Sequence, residues 1–239
     1  MRPLPSSPDF ANQYQLEEAE YLKRLDFLNW YRFYFLFRDL LSYRSQRVLE
    51  IGGGSGVLKN CVAPHVEKYE MFDINDRLKP DFLGDVRTRI PALTGRYDTI
   101  VAADVLEHLP FADLPDTLVN LRSYLVPGGR AFITIPHRGS YFLFMTPTYI
   151  PHVIRIATGF LSLGAFYRRF IKRKIWTDPY HCWEIGDGTI DVRQVEALFH
   201  EACFAIVSRN TLLYVDYWVL SAVGEKNNLE SLSGKAKIP

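Results

Sequence analysis

The sequence predicts an α/β fold with a largely parallel sheet covered by helices on both faces. Three observations predict it. From Gln46 onward short aliphatic runs alternate with helical patterns, the signature of strands joined by helical crossovers. The first such run, Val48-Leu49-Glu50-Ile51, ends in the glycine-dense turn Gly52-Gly53-Gly54-Ser55-Gly56. A strand, a glycine turn and a helix start in series form a site for a nucleotide-like ligand. The chain has 239 residues and is 48% hydrophobic, enough for one large domain with a sizeable core.

The elements follow in order. Residues from about 10 to 44 carry leucines and aromatics near helical spacing and read as helix, packing on the main domain. Arg47–Ile51 reads as strand one, Val57–Val66 as a helix, Tyr69–Ile74 as strand two and Asp81–Leu83 as a short strand three. Tyr97–Ala102 is strand four. Leu114–Leu125 is a helix stopped by Pro127-Gly128-Gly129, and Arg130–Ile135 is strand five. Residues 191–202 form an amphipathic helix with Thr189 and Asp191 as cap candidates. Phe204–Asn210 and Tyr214–Val223 read as two strands whose short link favours antiparallel pairing.

The connection from Pro136 to Gly188 is too long for a plain loop. Apolar helical patterns fall around 148–162 and 164–175, with a basic cluster from Arg168 to Lys174. We read it as an inserted substrate cap. The organisation is therefore an N-terminal helical segment (1–45), a ligand-binding core (46–136), the cap (137–188), the end of the core (189–224) and a polar tail (225–239).

Composition narrows the function. The formal net charge is +1, so global charge gives no reason to expect nucleic acid. Cys61, Cys182 and Cys203 form no paired framework and read as reduced thiols of a cytoplasmic protein. The Pro/Ser-rich start lacks an apolar signal core, and no run of about 18 apolar residues could span a bilayer. No His/Cys spacing points to a metal.

The glycine turn can be tested against known patterns. A dinucleotide loop needs glycines at i, i+2 and i+5. Position i+5 is Val57 counted from Gly52 and Lys59 counted from Gly54. A phosphate-binding P-loop needs Gly-Lys-Ser/Thr, which does not follow. What remains, E-x-G-x-G-x-G, resembles motif I of the class I S-adenosylmethionine-dependent methyltransferases. Asp73 at the end of strand two, Gly84-Asp85-Val86 after strand three, Ala103-Asp104-Val105-Leu106-Glu107-His108-Leu109 after strand four and Pro127-Gly128-Gly129 before strand five extend the resemblance. Its nearest flavour is the type 11, ubiquinone-biosynthesis-like branch.

The resemblance implies a Rossmann-like methyltransferase fold with a seven-stranded sheet, one strand of it antiparallel, and S-adenosyl-L-methionine as cofactor. It implies that Gly52, Gly53, Gly54 and Gly56 wrap the methionine part, with Glu50 supporting that loop. Asp73 would hold the ribose, Asp85 and Val86 would frame the adenine, and Ala103 would line the sulfur side. One departure is visible: Glu201-Ala202-Cys203-Phe204 stands where the family often has Glu-Ala-Gly-Phe. Cysteine disfavours positive φ, so this helix end is expected to close differently.

Methyl transfer asks for in-line positioning, and for a base only when the acceptor must lose a proton. Base candidates are His108, His137, His152, His181 and Glu184. His108 reads as a structural part of the Leu-Glu-His signature. His137 stands just past strand five, at the ligand-binding edge of such sheets. His181 lies in Tyr180-His181-Cys182-Trp183-Glu184, which resembles a segment of methyltransferases found among glycan-assembly enzymes. His181 and His137 are the catalytic candidates. The aromatic, basic insert favours O-methylation of a small-molecule, saccharide or lipid-linked acceptor, with residues 141–176 as a possible peripheral membrane contact at the inner surface. The alternatives are an RNA methyltransferase gripping phosphates through that insert, or a non-catalytic binding protein of the same fold.

Overall fold

A computed structural model describes residues 15–138, 140–147, 151–156, 167 and 180–224. Seven strands form one sheet: β1 (Arg47–Ile51), β2 (Lys68–Asp73), β3 (Phe82–Leu83), β4 (Tyr97–Ala103), β5 (Leu125–Pro136), β8 (Phe204–Leu212) and β9 (Val215–Ala222). Their order is β3-β2-β1-β4-β5-β9-β8. The first five pair in parallel, and β9 runs antiparallel to both β5 and β8. This is the seven-stranded mixed sheet that the resemblance implied.

Side-chain alternation divides the core between the two faces. On one face Leu49 and Ile51 of β1 and Trp218 and Leu220 of β9 pack with α4 (Leu114–Tyr124) and α5 (Val192–Glu201). On the other, Val48, Tyr217 and Val219 pack with α2 (Phe27–Ser42) and α3 (Val57–Val62). Each fully buried aliphatic side chain contributes about 1.5–3 kcal/mol. The same alternation turns Glu50 onto the α2/α3 side, below the glycine turn.

The N-terminal helical stretch divides into two helices. α1 (Glu18–Lys23) ends before Asp26, which caps α2. The Asp26 carboxylate accepts from Asn29 N at 3.0 Å, and the Asn29 side chain accepts from Asp26 N at 3.0 Å. That reciprocal box satisfies two end donors and fixes the break. α5 starts the same way on Asp191 and Gln194, so Asp191 is the cap. α3 stops early, because Pro64 turns residues 63–65 into a 3₁₀ turn.

Two expectations are corrected. The insert begins as a hairpin, β6 (Ser140–Met145) against β7 (Pro151–Ile156), with Phe144 opposite His152. Residues 151–156 were expected to be helical, but Pro151 and the β-branched Val153, Ile154 and Ile156 suit an extended chain. The second apolar helical pattern and the basic cluster Arg168–Lys174 lie outside the described residues. At the end of α5, Cys203 adopts φ +59°. It takes the left-handed closing position that glycine usually fills, at a cost of about 1–2 kcal/mol.

Among the described residues no helix is long and apolar enough to cross a membrane.

Candidate active site

The sheet positions a cavity of about 440 Å³ at the C-terminal ends of β1, β2 and β4, where ligands bind in open α/β sheets. Its volume lies in the usual range for small-molecule sites. Gly52 and Gly54 form one wall, Asp73 and Ile74 the next, and Gly84, Asp85 and Val86 the far end. Gly52 has φ +67°, and a Cβ there would lie 2.6 Å from Val105 Cγ2. Both the backbone conformation and the space therefore require glycine.

Asp73 lines the cavity. Its carboxylate accepts from Asn75 N at 2.9 Å, and the backbone N–H groups of Gly54 and Ile74 also favour its charged form. Burial nevertheless raises its pKa, and those N–H groups oppose the rise. Asp85 also lines the cavity, but Arg87 grips it: Nε lies 3.0 Å and Nη2 2.6 Å from its carboxylate. This hydrogen-bonded pairing lowers the Asp85 pKa.

α1 closes the near side. Tyr21 lines the cavity, its ring 3.5 Å from where a Gly54 Cβ would stand. Asn75 Nδ2 donates to Leu16 O at 2.7 Å and Arg77 pairs with Glu17 at 3.4 Å, so the loop after β2 fastens this helix.

Glu50, Gly53, Gly56 and Ala103 are not in the cavity wall. Gly56 precedes α3 at φ +65°. Gly53 lies against Glu50, outside the cavity lining: Glu50 is buried, and Tyr69 donates its hydroxyl to Glu50 Oε2 at 3.0 Å. Burial pushes the Glu50 pKa up to about 7, with the Tyr69 bond opposing and Asp73 adding to the rise. A carboxyl whose pKa is raised on folding favours the folded state below its unfolded value near 4.5. That advantage is lost as pH climbs through about 7. In the cofactor-free protein Glu50→Gln should therefore gain stability relative to the wild type between pH 5 and pH 8. Paired urea titrations at the two pH values measure this, and parallel pH dependences would refute it.

Ala103 packs towards the α2/α3 face. The next residue, Asp104, turns into the cavity wall with φ +55°. Sequence reasoning did not single it out. Its carboxylate accepts from Arg32, from Tyr214 OH at 2.9 Å and from Thr134 Oγ1 at 2.5 Å. A non-glycine residue at positive φ beside a cavity marks stored strain.

The last wall is His108, Leu109, Pro110 and Cys182. Residues 180–185 re-enter the core here. Cys182 N donates to Glu107 O at 2.8 Å, Trp183 Nε1 to Leu109 O at 3.0 Å, and Ile185 N to Pro136 O at 3.1 Å. His181 comes to rest edge-on against His108, ring centroids 4.9 Å apart. Its Nδ1 bonds Glu184 Oε1 at 2.8 Å, while Glu184 Oε2 forms an ion pair with Arg138, 2.5 Å from its Nε. Of the catalytic candidates, His181 therefore lies one side chain behind the wall. His137 is buried at the end of β5, where its N–H bonds Tyr214 O at 2.9 Å, and it is not in the wall. His152 belongs to the β6/β7 hairpin. The ligating atoms of Glu107, His108 and His181 all lie within 4.8 Å of one another.

This sheet order, with a glycine-walled cavity and a strand-end acid, defines a class I S-adenosylmethionine-dependent methyltransferase. The chain belongs to the methyltransferase-domain family, whose profile matches residues 27–208. Solved structures share the fold. The N-methyltransferase NodS of Bradyrhizobium japonicum WM9, in complex with S-adenosyl-L-homocysteine, superposes with a TM-score of 0.57 at 16% identity, over 90% of this chain and 96% of its own. An S-adenosylmethionine-dependent methyltransferase of Clostridium acetobutylicum ATCC 824 gives 0.55 at 11%, over 90% and 98%. The 1,6-didemethyltoxoflavin-N1-methyltransferase of Burkholderia thailandensis, with its substrate and S-adenosylhomocysteine bound, gives 0.50 at 12%, over 79% and 76%. A search of curated proteins finds no match.

Proposed function

We propose that this enzyme transfers a methyl group to an oxygen of a small-molecule or lipid-linked acceptor. The observation that carries the reading is the imidazole pair His108 and His181, backed by Glu184, at the wall of the cofactor cavity. A hydroxyl must lose its proton to become a good nucleophile, and this cluster is where the proton can be handled. His181 is the candidate acid/base, with Glu184 orienting its ring. His137 is the second candidate.

The cavity fits S-adenosylmethionine in volume and in donor pattern. The cofactor supplies an electrophilic methyl group when bound. Asp73 would accept from the ribose hydroxyls, and Asp85 and Val86 would flank the adenine. Gly52, Gly53, Gly54 and Gly56 would leave backbone open to the methionine part, with Glu50 beneath them and Ala103 behind the sulfur end. Tyr21 on α1 and the wall around Leu109 exclude water. The insert, 137–188, would present the acceptor. The toxoflavin enzyme, crystallised with its small-molecule substrate, supports a small acceptor. NodS and the toxoflavin enzyme are both N-methyltransferases, which makes nitrogen the second reading.

The test is a panel of hydroxylated and aminated small molecules and lipid-linked saccharides, followed by S-adenosylhomocysteine release and product mass spectrometry. An O-methyl product is expected. His181→Ala should lower turnover about 100-fold or more while S-adenosylhomocysteine affinity stays within about twofold. A product methylated only on nitrogen overturns the oxygen assignment, and normal turnover by His181→Ala removes that residue from the chemistry.

A further inference from the structure

We propose that the outer face of α2 is a docking surface for an anionic lipid bilayer. Binding to the bilayer does not depend on the acceptor. That the bilayer also presents the acceptor rests on the reading of a lipid-linked substrate.

α2 is apolar on both sides. Leu36 and Leu40 pack into the core with Val48, Val101 and Val219. The exposed positions of the same helix are Phe27, Trp30, Tyr34, Arg38, Leu41 and Ser42. The first five step by three, four, four and three residues, which places them on one stripe. Phe27 is 63% exposed, Tyr34 59% and Trp30 52%. A helix face turned to water is ordinarily charged or polar. This one carries three aromatics, a leucine, one cation and no acid. Single exposed apolar side chains need no explanation, whereas a contiguous row of them marks a contact surface.

Residue types and charge favour a bilayer as the occupant. Tryptophan and tyrosine are amphipathic rings suited to the headgroup boundary. A helix that lies in that plane turns Trp, Phe and Leu to the lipid and is flanked by Lys and Arg. Exposed cations stand at both ends of the stripe, Lys23 and Arg24 before it and Arg44 and Arg47 after it. Arg38 stands within it, 45% exposed while its Nε pairs with Asp39 at 2.6 Å. The neighbouring acids are engaged elsewhere. Asp26 caps α2 through Asn29 N at 3.0 Å, and Asp39 is buried and accepts from Tyr217 OH at 2.9 Å. On α1, Glu20 accepts from Glu17 N, Glu17 pairs with Arg77, and Glu18 lies beside the Gly56 turn. The stripe therefore sets positive charge around an apolar strip, complementary to an anionic headgroup layer.

The other side of α2 reaches the cofactor cavity, because Arg32 pairs with Asp104 in its wall. A bilayer seated on the stripe would lie about one helix diameter, ~10 Å, from that wall. A lipid-linked acceptor would then meet the cavity while its lipid stays in the bilayer.

The experiment is co-sedimentation of the full chain with vesicles of phosphatidylcholine alone and of phosphatidylcholine mixed with phosphatidylglycerol. Binding to the mixed vesicles is expected, at least about tenfold tighter than to phosphatidylcholine and weakened by salt. Phe27→Ser, Trp30→Ser and Tyr34→Ser combined should weaken it about tenfold or more. Lys23→Gln with Arg24→Gln should weaken it about tenfold. Val119→Ser, which changes an equally exposed apolar residue on α4, should leave it unchanged. S-adenosylhomocysteine affinity within about twofold of the wild type verifies the fold of each variant. Absence of binding to the mixed vesicles, or equal binding to both compositions, overturns the proposal. So does wild-type binding by the triple aromatic variant, which would move the contact to another surface such as the insert. A dimer in sedimentation velocity that the triple variant abolishes, without vesicle binding, overturns it in favour of a second copy of the chain. The vesicle assay contains no acceptor, so its failure leaves the methyl transfer intact, and failure of the O-methylation test leaves the docking surface intact.

Discussion

Asp73→Ala is expected to weaken S-adenosylhomocysteine binding about 100-fold or more. Asp73 closes β2 and faces the cavity, and Asn75 N holds its carboxylate at 2.9 Å. A ribose offers two hydroxyls to such an acid, and a hydrogen bond to a charged group contributes about 1.5–3 kcal/mol. Losing two exceeds the ~1.4 kcal/mol that changes an equilibrium tenfold by a clear margin. The truncation also leaves Asn75 N without this acceptor, so the loop that fastens α1 should loosen. Asp73→Asn separates the two effects. Its amide oxygen can still accept one bond, so it should restore stability more fully than affinity. Calorimetric titration with S-adenosylhomocysteine, paired with urea denaturation, reads both. Wild-type affinity in Asp73→Ala would remove Asp73 from the cofactor site.

The sheet was legible in the sequence because parallel strands buried on both faces are continuous apolar runs, and glycine or proline marks their ends. Val48–Ile51, Tyr97–Ala102 and Arg130–Ile135 needed nothing else. The Gly52–Gly56 turn and Asp73 were legible for a related reason: each sits directly at a strand end, where chain position alone decides location. Asp104 escaped because one residue separates the two faces at the end of β4. Ala103 packs away from the cavity and the following residue, at positive φ, turns towards it. The donors to Asp104 come from 72 and 110 residues away, and no local pattern encodes such a meeting. The same holds for His108 and His181. Their approach is set by hydrogen bonds from Cys182 N, Cys182 Sγ and Trp183 Nε1 to the backbone carbonyls of residues 107–109, which periodicity cannot report. The β6/β7 hairpin was misread because a short run of aliphatic residues fits either a helix or a strand.

Arg32→Ala is expected to cost about 3 kcal/mol of stability. Arg32 and Asp104 pair across α2 and the end of β4, with side chains 8% and 18% exposed. Removing one partner of a buried pair leaves the other charge in a poor solvent, at about 3–5 kcal/mol. Tyr214 and Thr134 still donate to Asp104, which places the expectation at the lower end. The Tyr214 phenol cannot replace the guanidinium, because it has no cationic form and remains a neutral donor. Arg32 also lies over the Phe33 ring, 4.9 Å from its centroid, a contact that a truncated side chain loses. Arg32→Lys should recover only part of the loss, since an ammonium cannot reproduce the planar guanidinium's reach to both. Asp104 lines the cavity, so the loss should extend to function: S-adenosylhomocysteine affinity should fall with stability, linking the seating of α2 to the cofactor pocket. Urea denaturation of Arg32→Ala, Asp104→Ala and the double variant tests the pairing. The double variant should lose clearly less than the sum of the singles. Additive losses, or a single loss below about 1 kcal/mol, would show that the pair does not hold α2 to the site.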